Sequence, residues 1–353
     1  MGATVATGLR EAELSPSTFA AIDVLVDELS GRSGKRPDSA LFGVKTLERL
    51  FGHTERLISR EAPKALPLAR LGVLIAPRTK GRTPEESAKL RLLEGDAHRW
   101  LATTLLHLGR CQEAWQAALA AKSLYRLPIV APMVNDQEAR LDLAYGQILF
   151  QLGQVQTGLD MISGAARHLL VVCGNKSRFI RGQTIYAGML IYQDNYEEAL
   201  TVLDEAGAIA TEINDTEMSV YILANACVCL ESLGRPGADV CHERSLEMLE
   251  QRGMNSEIPR TGYVRVAHLK RIGRIDEAIS ELYKIRTALG QPGMEVVAAQ
   301  VTALIVADLV SVGRLSEAAF IGYEAIEILS AAGSTRDATN IRNLLETGRT
   351  ATP

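Results

Sequence analysis

Residues 269–279 read LKRIGRIDEAI, and residues 309–319 read LVSVGRLSEAA. Both contain Gly-Arg, an aliphatic residue, a short polar step, Glu and Ala, and their glycines, Gly273 and Gly313, lie 40 residues apart. Working back toward the N-terminus, equivalent tight connections fall at Gly234, Asp194, Gly153 and Gly109. From Gly109 to Gly313 the spacings are 44, 41, 40, 39 and 40 residues. Self-similarity at a fixed period is the mark of stacked supersecondary units, each too small to bury its own apolar face.

The flanks of each connection are helical in pattern. Trp100, Leu101, Leu105 and Leu108 lead into Gly109, and Ala114, Leu119 and Leu124 lead away from it. Ile185, Met189 and Leu190 precede Asp194, and Ala199, Leu200 and Leu203 follow it. Steps of three and four residues put these side chains on one helical face. Glycine suits the connection because it takes positive φ after a helix C-terminus. Acidic residues open the second helix (Glu113, Glu197, Glu198, Asp276, Glu277, Glu317), where they meet the positive end of the helix dipole. Ala114, Ala199, Ala278 and Ala318 then leave room for the two helices of a hairpin to approach.

In Gly273-Arg-Ile-Asp-Glu-Ala278, Gly313-Arg-Leu-Ser-Glu-Ala318 and Asp194-Asn-Tyr-Glu-Glu-Ala199 the chain resembles the tetratricopeptide repeat family. Gly146, Ala102, Ala187 and Cys227 match the small position of the family's first helix. The resemblance implies an all-α protein, a right-handed α-solenoid (superhelix) of helix-turn-helix repeats. The family's usual period is about 34 residues; a period near 40 implies helices about a turn longer, as in extended repeats of bacterial regulatory proteins. Two units depart from the pattern. Pro236-Gly237 sits where a second helix should begin, and Gly158 stands where Ala is expected. Both units are expected to be locally distorted.

The organisation expected is an N-terminal tail, short helix and flexible basic linker over 1–39, and a degenerate helical pair acting as cap over 40–76. A loop over 77–89 follows, then about six repeats over 90–333 and a C-terminal capping helix and tail over 334–353. Ser15-Pro16 is a helix start, with Ser as N-cap and Pro at the first helical position. Residues 1–14 carry no strong pattern. Gly31–Pro37 reads as the linker; its glycine spacing is wrong for a phosphate loop. Val296–Leu309 is apolar on more than one face, which means deep burial under the final helix or a dimer contact, and oligomeric state stays open.

Composition narrows the function. Net charge is −4, which disfavours a nucleic-acid partner. The start of the chain lacks a basic segment followed by an apolar one, and the longest apolar stretch is too short for a bilayer, so no membrane role is expected. Five cysteines on apolar segments read as core thiols of a reducing cytoplasm. No catalytic set stands out: the six histidines are scattered, and neither a His-Glu-x-x-His nor a Gly-x-Ser-x-Gly motif occurs. Cys227 and Cys229 lie two apart on a helix and so face different ways. Cys241-His242 can approach Cys227 across a hairpin, but the reading adopted is buried thiols beside a surface histidine, with no metal and no cofactor. An enzyme is not expected.

The resemblance implies that the first helix of each pair lines a concave groove. Counting back from the turns places Arg99, Arg140, Arg181, Arg260, Lys270 and Arg271 there, interleaved with Phe150, Tyr192, Tyr221 and Tyr263. Arg and Tyr are frequent anchors of interfaces. The expected function is a non-catalytic protein-interaction module, a scaffold, adaptor or regulatory subunit, taking a partner protein or an acidic peptide on this face. The alternative is a peptide or small-ligand sensor that works through a change of superhelical shape. A second account of the cations stays open beside both: they pair with acidic residues of neighbouring repeats.

Overall fold

The computed structural model describes residues 2–10, 13–27, 29, 42–58, 61–251 and 258–350. The described residues form helices and no strands. The chain divides into two compact units, Met1–Tyr145 and Gly146–Pro353. Both are rows of antiparallel helix pairs, the solenoid architecture that the ladder of turns demands. The linker Gly31–Pro37 lies outside the described residues.

The first unit holds α1 (Gly2–Gly8), α2 (Pro16–Asp27), α3 (Val44–Ile58), α4 (Ala62–Ile75), α5 (Pro84–His107), α6 (Cys111–Tyr125) and the start of α7 (Gln137–Gln151). The helix starts follow local chemistry. Ser15 Oγ accepts from the Thr18 N–H at 3.2 Å, and Thr83 Oγ1 accepts from the Glu86 N–H at 3.1 Å. Pro follows each cap, at a position whose N–H would have no partner in any case. Ile22, Leu25, Leu47, Leu50, Leu68 and Leu71 make the core of the first four helices. The opening residues are not the patternless tail that the sequence suggests. Val5 and Leu9, one helical turn apart, are buried in this core, and His53 Nε2 lies 3.2 Å from the Leu9 carbonyl.

The second unit continues with α8 (Val155–Val171), α9 (Lys176–Ile191), α10 (Tyr196–Glu212), α11 (Thr216–Ser232) and α12 (Ala238–Gln251). It is completed by α13 (Ile258–Arg271), α14 (Ile275–Ala288), α15 (Glu295–Ser311), α16 (Leu315–Ala331) and α17 (Thr335–Thr350). First helices of successive pairs pack on one another: α9 on α11, α11 on α13, α15 on α17. Val296–Leu309 is covered by α14, α16 and α17, with Ile305, Val306 and Leu309 fully buried, which settles its apolar faces as core.

Every rung of the ladder adopts the left-handed conformation: φ is +71° at Gly109, +88° at Gly153, +57° at Asp194, +60° at Gly234, and +77° at both Gly273 and Gly313. Asp is one of the few other residues that tolerate it, and the Asp194 carboxylate accepts a 2.6 Å hydrogen bond from the Tyr196 hydroxyl. The next N–H then reaches back to the preceding helix, as in Arg274 N to Leu269 O at 2.9 Å and Arg314 N to Leu309 O at 2.8 Å.

The two irregular units behave differently. After most rungs the second helix begins two residues on, but after Gly234 it waits until Ala238, because Gly237 takes a second positive φ of +89°. Gly158, by contrast, breaks nothing: α8 runs through it. A Cβ there would lie 2.5 Å from the Gly146 carbonyl oxygen, so paired glycines let the backbones of α7 and α8 touch. Gly158→Ala is therefore expected to destabilise. Overpacking against backbone costs about 1–3 kcal/mol, more than the gain in helix propensity of up to about 1 kcal/mol. Urea denaturation of the two proteins checks the sign.

Among the described residues no helix is long and apolar enough to cross a membrane.

Candidate functional site

The groove candidates of the first unit are Arg99 and Arg140. Arg99 is 4% exposed, with Nε 3.2 Å from Asp96 Oδ1 and its guanidinium 4.3 Å above the Trp100 ring. The Tyr125 hydroxyl donates to the same Asp96 oxygen at 2.8 Å. Gly95 makes that possible, since a Cβ there would stand 2.5 Å from the Tyr125 ring. Burial above all holds the Tyr125 phenol far above its ordinary range. Arg140 is half-buried, 3.8 Å from Asp136, with its guanidinium 5.7 Å from the Trp100 ring centroid.

In the second unit the end of α7 and the end of α9 place Phe150 and Tyr192 edge to face, with ring centroids 6.2 Å apart. The guanidinium of Arg336, from the first turn of α17, lies 4.1 Å from the Phe150 ring and 4.0 Å from the Tyr192 ring. Its neighbour Asp337 is fully buried. It accepts from the Tyr192 hydroxyl at 2.7 Å and from Gln300 Nε2 of α15 at 3.0 Å. Thr335 Oγ1 donates to the Leu152 carbonyl at 3.0 Å. The last helix of the unit thus closes on its first helices. Burial pushes the Asp337 carboxyl up, while the bond from Tyr192 and the charge of Arg336 pull it back. Burial and the Asp337 carboxylate hold the Tyr192 phenol above its usual range.

The remaining candidates spread along the same unit. Lys270 Nζ lies 2.6 Å from the largely buried Asp308, and Arg271 is paired with the buried carboxylate of Glu231. Arg181 is exposed on α9. Tyr221 on α11 and Tyr263 on α13 are half-buried, and burial lifts the Tyr263 phenol to about 12. Arg260 belongs to α13, but its side chain lies outside the described residues.

Sequence reading misses Arg336 and Asp337. They open a helix whose sequence shows only an apolar stripe, and a charged pair in a first turn looks like any solvated helix end. Sequence reading allows Cys241-His242 to approach Cys227 across the hairpin but adopts buried thiols and no metal. The fold does bring His242 of α12 to Cys227 of α11, and adds Glu231 of α11 to the cluster.

No protein-family model and no curated protein matches the sequence. Among solved structures, the chain is similar to aspartyl phosphate phosphatase F from Bacillus subtilis, with 13% identity, 97% of this chain and 96% of that chain covered, and a TM-score of 0.46. It is similar to a Rap protein complexed with competence and sporulation factor, with 13% identity, coverage of 87% and 98%, and a TM-score of 0.48. It is similar also to the apo form of RapI, with 15% identity, coverage of 72% and 97%, and a TM-score of 0.44.

Proposed function

We propose that the chain is a non-catalytic interaction module that takes a peptide segment of a partner protein on the inner face of its second unit. The observation that carries this reading is the grip on Arg336. Phe150 and Tyr192 hold a guanidinium from a segment more than 140 residues away, with Gln300 and Asp337 completing a polar ring. A face built to receive one side chain in this way suits recognition of others. The exposed Arg181 lies on α9, the helix that ends at Tyr192, and the half-buried Tyr221 on α11, which packs on α9; there an acidic side chain of a partner would find a bidentate donor.

Several of the expected anchors serve the scaffold instead. Lys270 and Arg271 bind Asp308 and Glu231, so the acidic-partner reading rests on Arg181 rather than on a continuous basic stripe. A displayed peptide library panned against the whole chain tests it. Wild type should enrich sequences with a recurrent acidic position, and Arg181→Glu should weaken binding of the enriched peptides at least about tenfold, or about 1.4 kcal/mol. Equal binding by both proteins would remove Arg181 from the interface and with it this account of the face.

The closing contact favours a second reading, a sensor. The contact is polar and belongs to the end of the row, where each unit touches few neighbours. A ligand that prefers Phe150 and Tyr192 without Arg336 would release α17, and the shift would be limited by its differential affinity for the two arrangements.

A further inference from the structure

The hairpin of α11 and α12 carries a cluster that the interaction reading does not use. Cys227 and Glu231 are four residues apart on α11 and so share a helix face. His242 of α12 reaches the same point, and one donor atom from each of the three lies within 4.8 Å of the other two. Cys241, half-buried, packs against the small core of Ala224, Cys227 and Val264. His268 of α13 stacks on His242 with ring centroids 4.4 Å apart, and its Nδ1 lies 3.0 Å from Glu231 Oε1. Cys227 and Glu231 are buried, and the Nδ1 of His242 is buried with no hydrogen-bond partner among the described residues. A buried imidazole nitrogen left without a partner is uncommon and asks for an explanation.

We propose that Cys227, Glu231, His242 and Cys241 form a binding site for a thiophilic divalent cation of the zinc class. Two sulfurs, an imidazole nitrogen and a carboxylate oxygen are the donors that such an ion takes in tetrahedral sites, whereas magnesium and calcium require oxygen. Metal–ligand distances of about 2.0–2.3 Å set the size of a filled site, and the three clustered donors reach it by small side-chain adjustments. Cys241 supplies the fourth donor by turning its thiol from the Leu223 carbonyl, 3.9 Å away.

Charge and protons balance. The ion binds two thiolates, whose protons leave to solvent, and one carboxylate. Three negative charges are offset by the divalent ion and by Arg271, which is bonded to Glu231. His268 and Arg271 hold the carboxylate in place as outer partners of a ligand do. The position also makes structural sense. This is the hairpin whose second helix is delayed by Pro236 and Gly237, and the ion would tie its two helices together.

The test uses the whole chain, reduced with a phosphine, freed of metal over a chelating resin and titrated with Co2+. The expected result is a thiolate-to-cobalt charge-transfer band that saturates at one equivalent and is abolished by one equivalent of Zn2+. Cys227→Ser and His242→Ala should each weaken cobalt binding at least about tenfold, while Cys229→Ala, on the same helix but outside the cluster, leaves it unchanged. Circular dichroism of each variant shows that it is folded, and the half-buried His242 keeps the test valid if Cys227→Ser is not. The proposal is overturned by any of three results. These are no charge-transfer band in wild type at stoichiometric cobalt, saturation only at large excess, or a band undiminished in every folded cluster variant.

Discussion

Asp337→Ala is expected to lower the stability of the second unit by about 3–5 kcal/mol, because it strips the partner from a buried charge. Asp337 is fully buried and Arg336 is 8% exposed, so little water can replace the lost carboxylate. The Tyr192 hydroxyl and the Gln300 amide lose their acceptor in the same step. Asp337→Asn keeps an acceptor for one of them and should cost clearly less. The effect is expected to be local before it is global. Amide protection in α17 and at the ends of α7 and α9 should fall first, since these are the segments the contact joins. Hydrogen exchange resolved by segment measures this. Unchanged protection in α17 would mean that the closing contact contributes nothing, and the sensor reading would go with it.

Asp96→Ala is expected to have a comparable effect in the first unit, again about 3–5 kcal/mol. It leaves the nearly inaccessible Arg99 guanidinium without its carboxylate and the Tyr125 hydroxyl without its acceptor. Adding Arg99→Met should recover much of the loss, because a buried pair replaced by packed apolar groups is often close to neutral. The measurement is convenient. Both tryptophans, Trp100 and Trp115, belong to this unit, so tryptophan fluorescence in urea reports its unfolding alone. A double mutant no more stable than Asp96→Ala would show that the cost lies in the Tyr125 bond or in packing rather than in the stranded charge.

These two residues also show how far the sequence can be read. Asp96 and Arg99, three residues apart on one helix, are legible as neighbours facing one way, and the repeat period places Arg140 at the equivalent level of the next first helix. Whether they face a ligand or each other is not legible. The repeat period does offer a clue. Arg271 pairs with Glu231, and Lys270 with Asp308, close to one period away in sequence, which is what neighbouring units of a stack bring into contact. Exposed pairs such as Arg314 with Asp276 follow the same spacing. Opposite charges one period apart are thus a signal for scaffold pairing that the sequence itself carries. Gly158 misleads for a related reason. Its missing side chain looks like a weak point in a helix, and only the carbonyl of Gly146 lying against it shows that the absence is what allows the packing.

What the sequence alone determined is the ladder of turns, the helices between them and the class of fold. These follow from interactions over a few residues: positive φ at each rung, apolar steps of three and four, and caps formed by the next N–H or hydroxyl. What only the tertiary structure decided is which side chains meet after the chain has come round. Arg336 between Phe150 and Tyr192, and Asp337 under Gln300, join residues from separate helices, some of them far apart in sequence. No local pattern encodes such meetings. They depend on small rotations between successive helix pairs, which accumulate along the row and are set by packing at every interface between them.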